Sequence, residues 1–188
     1  MSALPDSTRD ETTYKRIQVV PLAGSLGAEI GGVDLRHLDD ADFAEIHRAW
    51  LQHQVIYFRG QTMTPDEHLD FARRWGEIHI HPFNAPMEGY PEILQILKTE
   101  AATRNNGNRW HSDQMYTAAP AKATILLARE MPPYGGDTMF SNLYLAYETL
   151  SDGMKEMLSG LKGVHNGNSS KNFLGGSPAA QAKMGLIP

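Results

Sequence analysis

The sequence predicts an α+β fold built around a largely antiparallel sheet or barrel. Three observations carry that prediction. Two stretches combine helical period with capping residues, several short β-branched or aromatic runs stop at Gly or Pro, and the two kinds of element are mixed without a regular β-α-β alternation. The 188 residues suffice for one ordinary domain with its own core, and an apolar share of 41% is that of a globular protein.

Taken in order, residues 1–14 are polar, lack the apolar core of a signal peptide and are expected to form a flexible start. "RIQVVPL" reads as a short strand, and the spaced glycines of "GSLGAEIGGVDL" suit turns and a bulged strand. "DDADFAEIHRAWLQHQ" reads as a helix capped by Asp39 or Asp40, with Phe43, Ile46, Trp50 and Leu51 recurring at helical spacing. "VIYFRG" reads as a buried strand ended by Gly60. "TPDEHLDFARRWG" carries the clearest helix signals: Thr64 as N-cap, Pro65 at the first position, Glu67 completing a capping box and Gly76 as the stop. "IHIHPF", "EILQILK", "WHSDQMY", "ATILLARE" and "DTMFSN" are all strand-like. "LYLAYETL" and "DGMKEMLSGL" look helical, with Ser151 as a cap between them. Residues 166–188 are small, polar and Gly-rich, and read as a mobile loop.

Composition excludes several classes. With no cysteine there is no disulfide, thiolate metal site or cysteine nucleophile. A net charge of −5 and scattered Lys and Arg argue against a nucleic-acid partner. No apolar run is long enough to span a bilayer, so a cytoplasmic protein is expected. Phosphate-loop, nucleophile-elbow and dinucleotide-binding motifs are absent.

Three constellations could carry chemistry. On a strand, His111 and Asp113 would share one face, roughly 7 Å apart by the rise per residue. One imidazole and one carboxylate are donors of the two-His-one-carboxylate set that binds non-haem Fe(II) and leaves positions open for a co-substrate and oxygen. Taken alone, a hydrogen-bonded polar pair explains a His-x-Asp motif at least as well. His79 and His81 would likewise share a face and could hold zinc, although one structural histidine and one facing solvent is the commoner outcome. "PPYGGDT" has adjacent glycines that permit positive φ and a tight turn, opening a strand at Thr138.

The ordered set "GAEIGGVDL", "HQVIYFRGQTMTPDEHLDFARRWGEIHIHP", "NRWHSDQMYTAAPAKATILLARE", "GGDTMFSN", "AYETLS" and "LSGLKGVHN" resembles the taurine dioxygenase (TauD/TfdA-like) family of Fe(II)- and 2-oxoglutarate-dependent dioxygenases. The resemblance covers nearly the whole chain after its polar start. It implies a double-stranded β-helix, or jelly roll, with flanking helices: residues 15–165 as the N-terminal part of a single oxygenase domain and 166–188 as a lid-like loop. It implies Fe(II) on His111 and Asp113, and 2-oxoglutarate hydrogen-bonded by Thr138. The substrate pocket would include His81, Asn84, Asn108 and Gln114. The partners implied are molecular oxygen and a small anionic substrate such as a sulfonate, alkyl sulfate or aryloxy acid, with succinate and CO₂ as co-products; a homo-oligomer is compatible with it.

Two departures qualify the resemblance. Asn84 stands where taurine-specific members have a tyrosine, which points away from taurine. The family's distal histidine ligand and its 2-oxoglutarate-binding arginine have no counterpart before Pro188, so the jelly roll is expected to be C-terminally incomplete and this chain alone inactive. His165 closes a predicted helix–turn and is not assigned as the missing ligand. Two rival readings remain: a zinc hydrolase or lyase using His79, His81 and His111, and a non-catalytic jelly-roll binding module.

Overall fold

The computed structural model describes residues 14–81, 86–99 and 109–165. The expected mixture of helices and short strands is present. In chain order the elements are β1 (Gln18–Pro21), β2 (Ala28–Gly31), α1 (Asp40–His53), β3 (Ile56–Phe58), α2 (Pro65–Arg73), β4 (Pro86–Met87), β5 (Tyr90–Leu94), α3 (Leu143–Glu148) and α4 (Asp152–Ser159). No helix among the described residues is long and apolar enough to cross a membrane. The chain divides into two compact units: residues up to Met63 with Tyr134–Asp152, and Thr64–Pro133 with the residues from Gly153 onward.

In the first unit, β2 is the central strand. It pairs antiparallel with β1, Gln18 opposite Gly31 and Pro21 opposite Ala28, and parallel with β3, Ala28 opposite Ile56 and Ile30 opposite Phe58. Two of the three strand pairings among the described residues are antiparallel, as the largely antiparallel expectation has it, and the parallel β2–β3 pair is the addition that the sequence reading lacked. A parallel neighbour needs a long return crossover, and the fourteen residues of α1 provide it, making β2–α1–β3 one β-α-β unit. α1 packs on β2 and β3. The buried core of this unit comprises Ile17, Ala28, Ile30, Leu35, Ile46, Ala49 and Met63, with His53 as its buried polar residue. Backbone bonds from Gly27 N to His53 O (2.9 Å) and Ala28 N to Val55 O (3.0 Å) tie the end of the helix to the central strand.

α1 begins where capping chemistry says it should. Asp39 is the N-cap, its side chain accepting from Asp42 N while the Asp42 side chain accepts from the Asp39 N–H, a reciprocal capping box. The buried face is Ile46, Ala49 and His53. Phe43 and Trp50 lie half-buried on either side of His47, whose ring centroid is 6.1 Å and 5.6 Å from theirs. Leu51, expected on the core stripe, is exposed, because the buried stripe runs through Ala49 and His53. The strand β3 is half-buried rather than buried.

The chain before β1 is clamped to α1 by charge. The Glu45 carboxylate accepts from Lys15 N (3.0 Å) and Arg16 N (2.9 Å); Arg16 pairs with Asp39 and, at 2.6 Å, with Asp42. Burial pushes the Glu45 carboxyl up, but the N–H groups of Arg16, Lys15 and Ile17 bring it net below the usual range. The Arg16 hydrogen bond holds Asp42 down in the same way.

In the second unit, Thr64 caps α2 with the expected Thr64–Glu67 box, Pro65 stands in the first turn, and Gly76 lies just beyond at φ 136°. Leu69 and Phe71 are its buried apolar residues, and α2 packs on β5. β4 and β5 form a hairpin through Glu88 and Gly89, Gly89 at φ 78°. "EILQILK" becomes strand only through Leu94; Ile96 and Leu97 are exposed.

The remaining strand expectations are corrected. "IHIHPF" (over its described residues, up to His81), "WHSDQMY", "ATILLARE" and "DTMFSN" join no ladder among the described residues. A strand needs a hydrogen-bonded neighbour as well as a suitable sequence, and these segments have none there. "AKATILLA" nonetheless keeps the exposure rhythm of a strand, half-buried and exposed residues alternating from Ala121 to Ala128. No described residue after Phe71 is buried.

The clamp generates a pH prediction. A carboxylate with a depressed folded pKa contributes stability that is present above its unfolded value and lost as pH falls through the folded value. The amide resonances of Lys15 and Arg16 should therefore titrate with Glu45 at a midpoint below the ordinary glutamate value of about 4.3, and shift little in Glu45→Gln. A midpoint at or above that value would show that the clamp does not hold in solution.

Candidate metal site

His111 and Asp113 lie together in the second unit, in a loop and not on a strand. His111 Nε2 stands 3.2 Å from Asp113 Oδ1, and both side chains are 55% exposed. The sequence reading had them side by side on one strand face, whereas they stand together outside any strand, where a turn at residues 113–116 begins. Gln114 adopts φ 52°, a left-handed conformation uncommon for a side chain with a Cβ. Its carbonyl accepts from both Thr117 N and Thr117 Oγ1 at 3.0 Å, which holds the turn.

Each member of the pair has one polar atom engaged elsewhere. His111 Nδ1 is 2.7 Å from the Arg109 carbonyl oxygen. A carbonyl only accepts, so Nδ1 carries the proton and donates it there. Asp113 Oδ2 accepts from Thr124 Oγ1 at 3.1 Å. The atoms left over, Nε2 and Oδ1, face each other. In a neutral imidazole with Nδ1 protonated, Nε2 is an acceptor, and two acceptors at 3.2 Å repel unless a proton or a metal cation lies between them. Neighbouring ligands of an octahedral cation with bonds of about 2.1 Å stand about 3 Å apart. The 3.2 Å separation fits that spacing, and imidazole nitrogen with carboxylate oxygen is a donor set suited to Fe(II).

Among the described residues no group of three or more His, Cys, Asp or Glu converges to hold a metal. His79, His81 and His111, the set of the zinc alternative, therefore form no such group. His79 is exposed and His81 half-buried, rather than sharing a strand face. Burial lowers the His81 pKa, the neighbouring His79 lowers it further, and Asp113 opposes both, which puts His81 within electrostatic reach of the Asp113 carboxylate. Burial and the same carboxylate raise the Tyr116 hydroxyl pKa. Gln114 Oε1 is buried without a hydrogen-bond partner. Asn84 and Asn108 lie outside the described residues. Thr138 belongs to the first unit, where it is exposed after Gly135 and Gly136, both at positive φ (81° and 77°) as the adjacent glycines led one to expect. The sequence reading did not single out Arg109, Thr117 or Thr124. Nothing in the linear pattern links Thr124 to a carboxylate eleven residues earlier.

The comparisons with known proteins give the family. The sequence model of the family "Taurine catabolism dioxygenase TauD, TfdA family" matches residues 18–184. The chain belongs to the TauD/TfdA family. Among its relatives, the alpha-ketoglutarate-dependent sulfate ester dioxygenase of Pseudomonas putida is 38% identical over 152 residues, covering 80% of this chain and 50% of that protein. The (S)-phenoxypropionate/alpha-ketoglutarate-dioxygenase of Delftia acidovorans is 31% identical, covering 85% and 58%. A solved structure, a taurine dioxygenase from Burkholderia xenovorans, superposes with a TM-score of 0.72 at 40% identity, covering 81% of this chain and 55% of that one. This TauD/TfdA chain thus spans about half the length of the curated relatives it matches.

The turn itself can be tested. A left-handed side-chain residue costs roughly 1–2 kcal/mol, and glycine removes that cost at an entropic penalty of about 0.5–1 kcal/mol. Gln114→Gly should be neutral or stabilising by up to about 1 kcal/mol, while the β-branched Gln114→Val should destabilise. Denaturant unfolding monitored in both variants checks this; a loss of stability in Gln114→Gly as large as in Gln114→Val would contradict the strained turn.

Proposed function

We propose that this chain carries two of the three protein ligands of an Fe(II)- and 2-oxoglutarate-dependent dioxygenase that hydroxylates a small anionic organic substrate, such as a sulfonate, alkyl sulfate or aryloxy acid. The observation that carries the reading is the convergence of His111 Nε2 and Asp113 Oδ1 at 3.2 Å with each partner's other polar atom already engaged. The names of the relatives, acting on sulfate esters and phenoxypropionate, support the substrate class. Membership of the family, and the neighbour at TM-score 0.72, support a jelly-roll architecture for the whole protein.

In this reading His111 donates through Nε2, its tautomer fixed by the Arg109 carbonyl, and Asp113 donates through Oδ1. The third histidine, and the arginine that would pair with a 2-oxoglutarate carboxylate, belong to the part of the family's length that this chain does not span. When bound, iron and 2-oxoglutarate would supply the oxidation with O₂ as the oxidant, one oxygen atom going into succinate as CO₂ leaves and the other into the hydroxylated substrate C–H bond. The chain's own residues bind and orient. Thr138 donates its hydroxyl to 2-oxoglutarate. The half-buried His81, its pKa lowered by burial and by His79 against the pull of Asp113, contributes to the substrate pocket with Asn84, Asn108 and the backbone of Gln114. Two ligands without the third hold a divalent cation weakly, so the 188 residues alone are expected to be catalytically silent. A zinc site on His79, His81 and His111 has no three-donor group behind it among the described residues.

The test is direct. In the complete protein, His111→Ala and Asp113→Ala should each abolish iron binding and oxygen-dependent succinate release together, while normal turnover in either would sink the assignment. Asp113→Glu should also fail, because an added methylene displaces the oxygen beyond what a preorganised site tolerates. Thr138→Ala should leave iron binding intact and raise the 2-oxoglutarate KM about ten-fold or more, from the loss of a hydrogen bond to a charged group worth roughly 1.5–3 kcal/mol. An unchanged KM would reduce the Gly-Gly-Asp-Thr segment to a turn.

A further inference from the structure

We infer that Thr124 is a positioning residue of the metal site: its hydroxyl ties down Asp113 Oδ2, so that Oδ1 alone is presented, on the side of His111 Nε2. This rests on the reading of His111 and Asp113 as ligands. A free carboxylate offers two equivalent oxygens and rotates between one-oxygen and two-oxygen coordination. At 3.1 Å the Thr124 Oγ1–H donates to Oδ2, since a carboxylate only accepts, and the equivalence is broken. The Arg109 carbonyl does the corresponding job for His111 by engaging Nδ1 at 2.7 Å. With both outer atoms engaged, the pair is left with one nitrogen and one oxygen, 3.2 Å apart.

The placement of Thr124 follows from the extended run that carries it. From Ala121 to Ala128 exposure alternates, with Lys122, Thr124, Leu126 and Ala128 on the more exposed side and Ala121, Ala123, Ile125 and Leu127 on the other. A slip of one residue would bring Ala123 or Ile125 to Asp113, and neither side chain can donate a hydrogen bond. Thr124 and Asp113 are both exposed, so the bond adds little to folding. Its effect falls on the orientation of the carboxylate. Partners of this kind, hydrogen-bonded to a metal ligand, change metal affinity ten- to hundred-fold.

The experiment uses Ni(II), which ranks above Fe(II) in affinity for such donors and does not oxidise. It is titrated into the complete protein, and site-resolved NMR follows paramagnetic broadening of the His111 imidazole, with His111→Ala defining the background from other histidines. Thr124→Val should need at least ten-fold more Ni(II) for the same broadening, with an unchanged unfolding midpoint. Thr124→Ser, which keeps the hydroxyl, should behave as wild type, and Thr124→Ala should repeat the Val result if the Val side chain is not accommodated. Equal Ni(II) response in wild type, Thr124→Val and Thr124→Ala would overturn the inference and leave the ligand reading standing. Absence of any His111 response in the wild type would overturn the ligand reading itself, and this inference with it.

Discussion

The first unit depends on one constraint: β2 must have both of its edges satisfied. Buried backbone N–H and C=O groups need partners, and Ala28 and Ile30 are among the most deeply buried of the described residues. β1 supplies one edge by a short antiparallel return. The other edge takes β3 in parallel, which is available only because α1 carries the chain back along the sheet. Most of the buried residues of this unit lie on this strand and on the helix packed against it, with Ile17, Leu35 and Met63 on flanking segments. The clamp of Glu45, Asp42 and Asp39 on residues 15 and 16 fixes where β1 begins, and the His53 and Val55 carbonyls fix where the helix hands over to β3.

The same constraint explains what was legible in the sequence. Helices are written locally: the Asp39 and Thr64 caps, Pro65 and the apolar period lie within one segment, and α1 and α2 form where those signals put them. Strands are written jointly. "VIYFRG" and "RIQVVPL" found neighbours and became β3 and β1, whereas "ATILLARE" has equal β character, alternates in exposure as a strand does, and joins no ladder among the described residues. The parallel sense of β2 and β3 was missed because pairing direction follows from the three-dimensional return of α1, not from residue type. Leu51 was misplaced by a period count that favoured large apolar residues over the small Ala49.

At the candidate site the residue types were legible and the geometry was not. His-x-Asp identified the two donors, but for a reason the structure replaces. They meet outside any strand, each with its outer atom held, His111 by the Arg109 carbonyl and Asp113 by Thr124, while the left-handed Gln114 turns the chain just after them. Left-handed backbone at a glutamine has no sequence signature, unlike the Gly135–Gly136 turn, which was readable from its glycines. Nor could the linear pattern show that Arg109 and Thr124 engage the outer atoms of the pair, since both contacts depend on how the loop closes.

The proposed ligand role gives the two outer contacts of that pair a purpose that an ion pair alone does not require. If His111 and Asp113 were only a salt bridge, an exposed pair of this kind would contribute between nothing and about 1 kcal/mol, and no particular tautomer or carboxylate rotation would be required of it. Here the tautomer is set by a carbonyl and the rotation by a hydroxyl, two separate constraints on atoms that do not touch each other. Such constraints matter when the remaining nitrogen and oxygen must point at a common third centre. The pair is also about half exposed, in a stretch where no described residue after Phe71 is buried. An oxidation site needs water excluded from it. In the proposed reading, a chain that spans about half the length of its relatives holds its two donors by contacts from Arg109 and from the extended run that carries Thr124, without the enclosure that chemistry at them would demand.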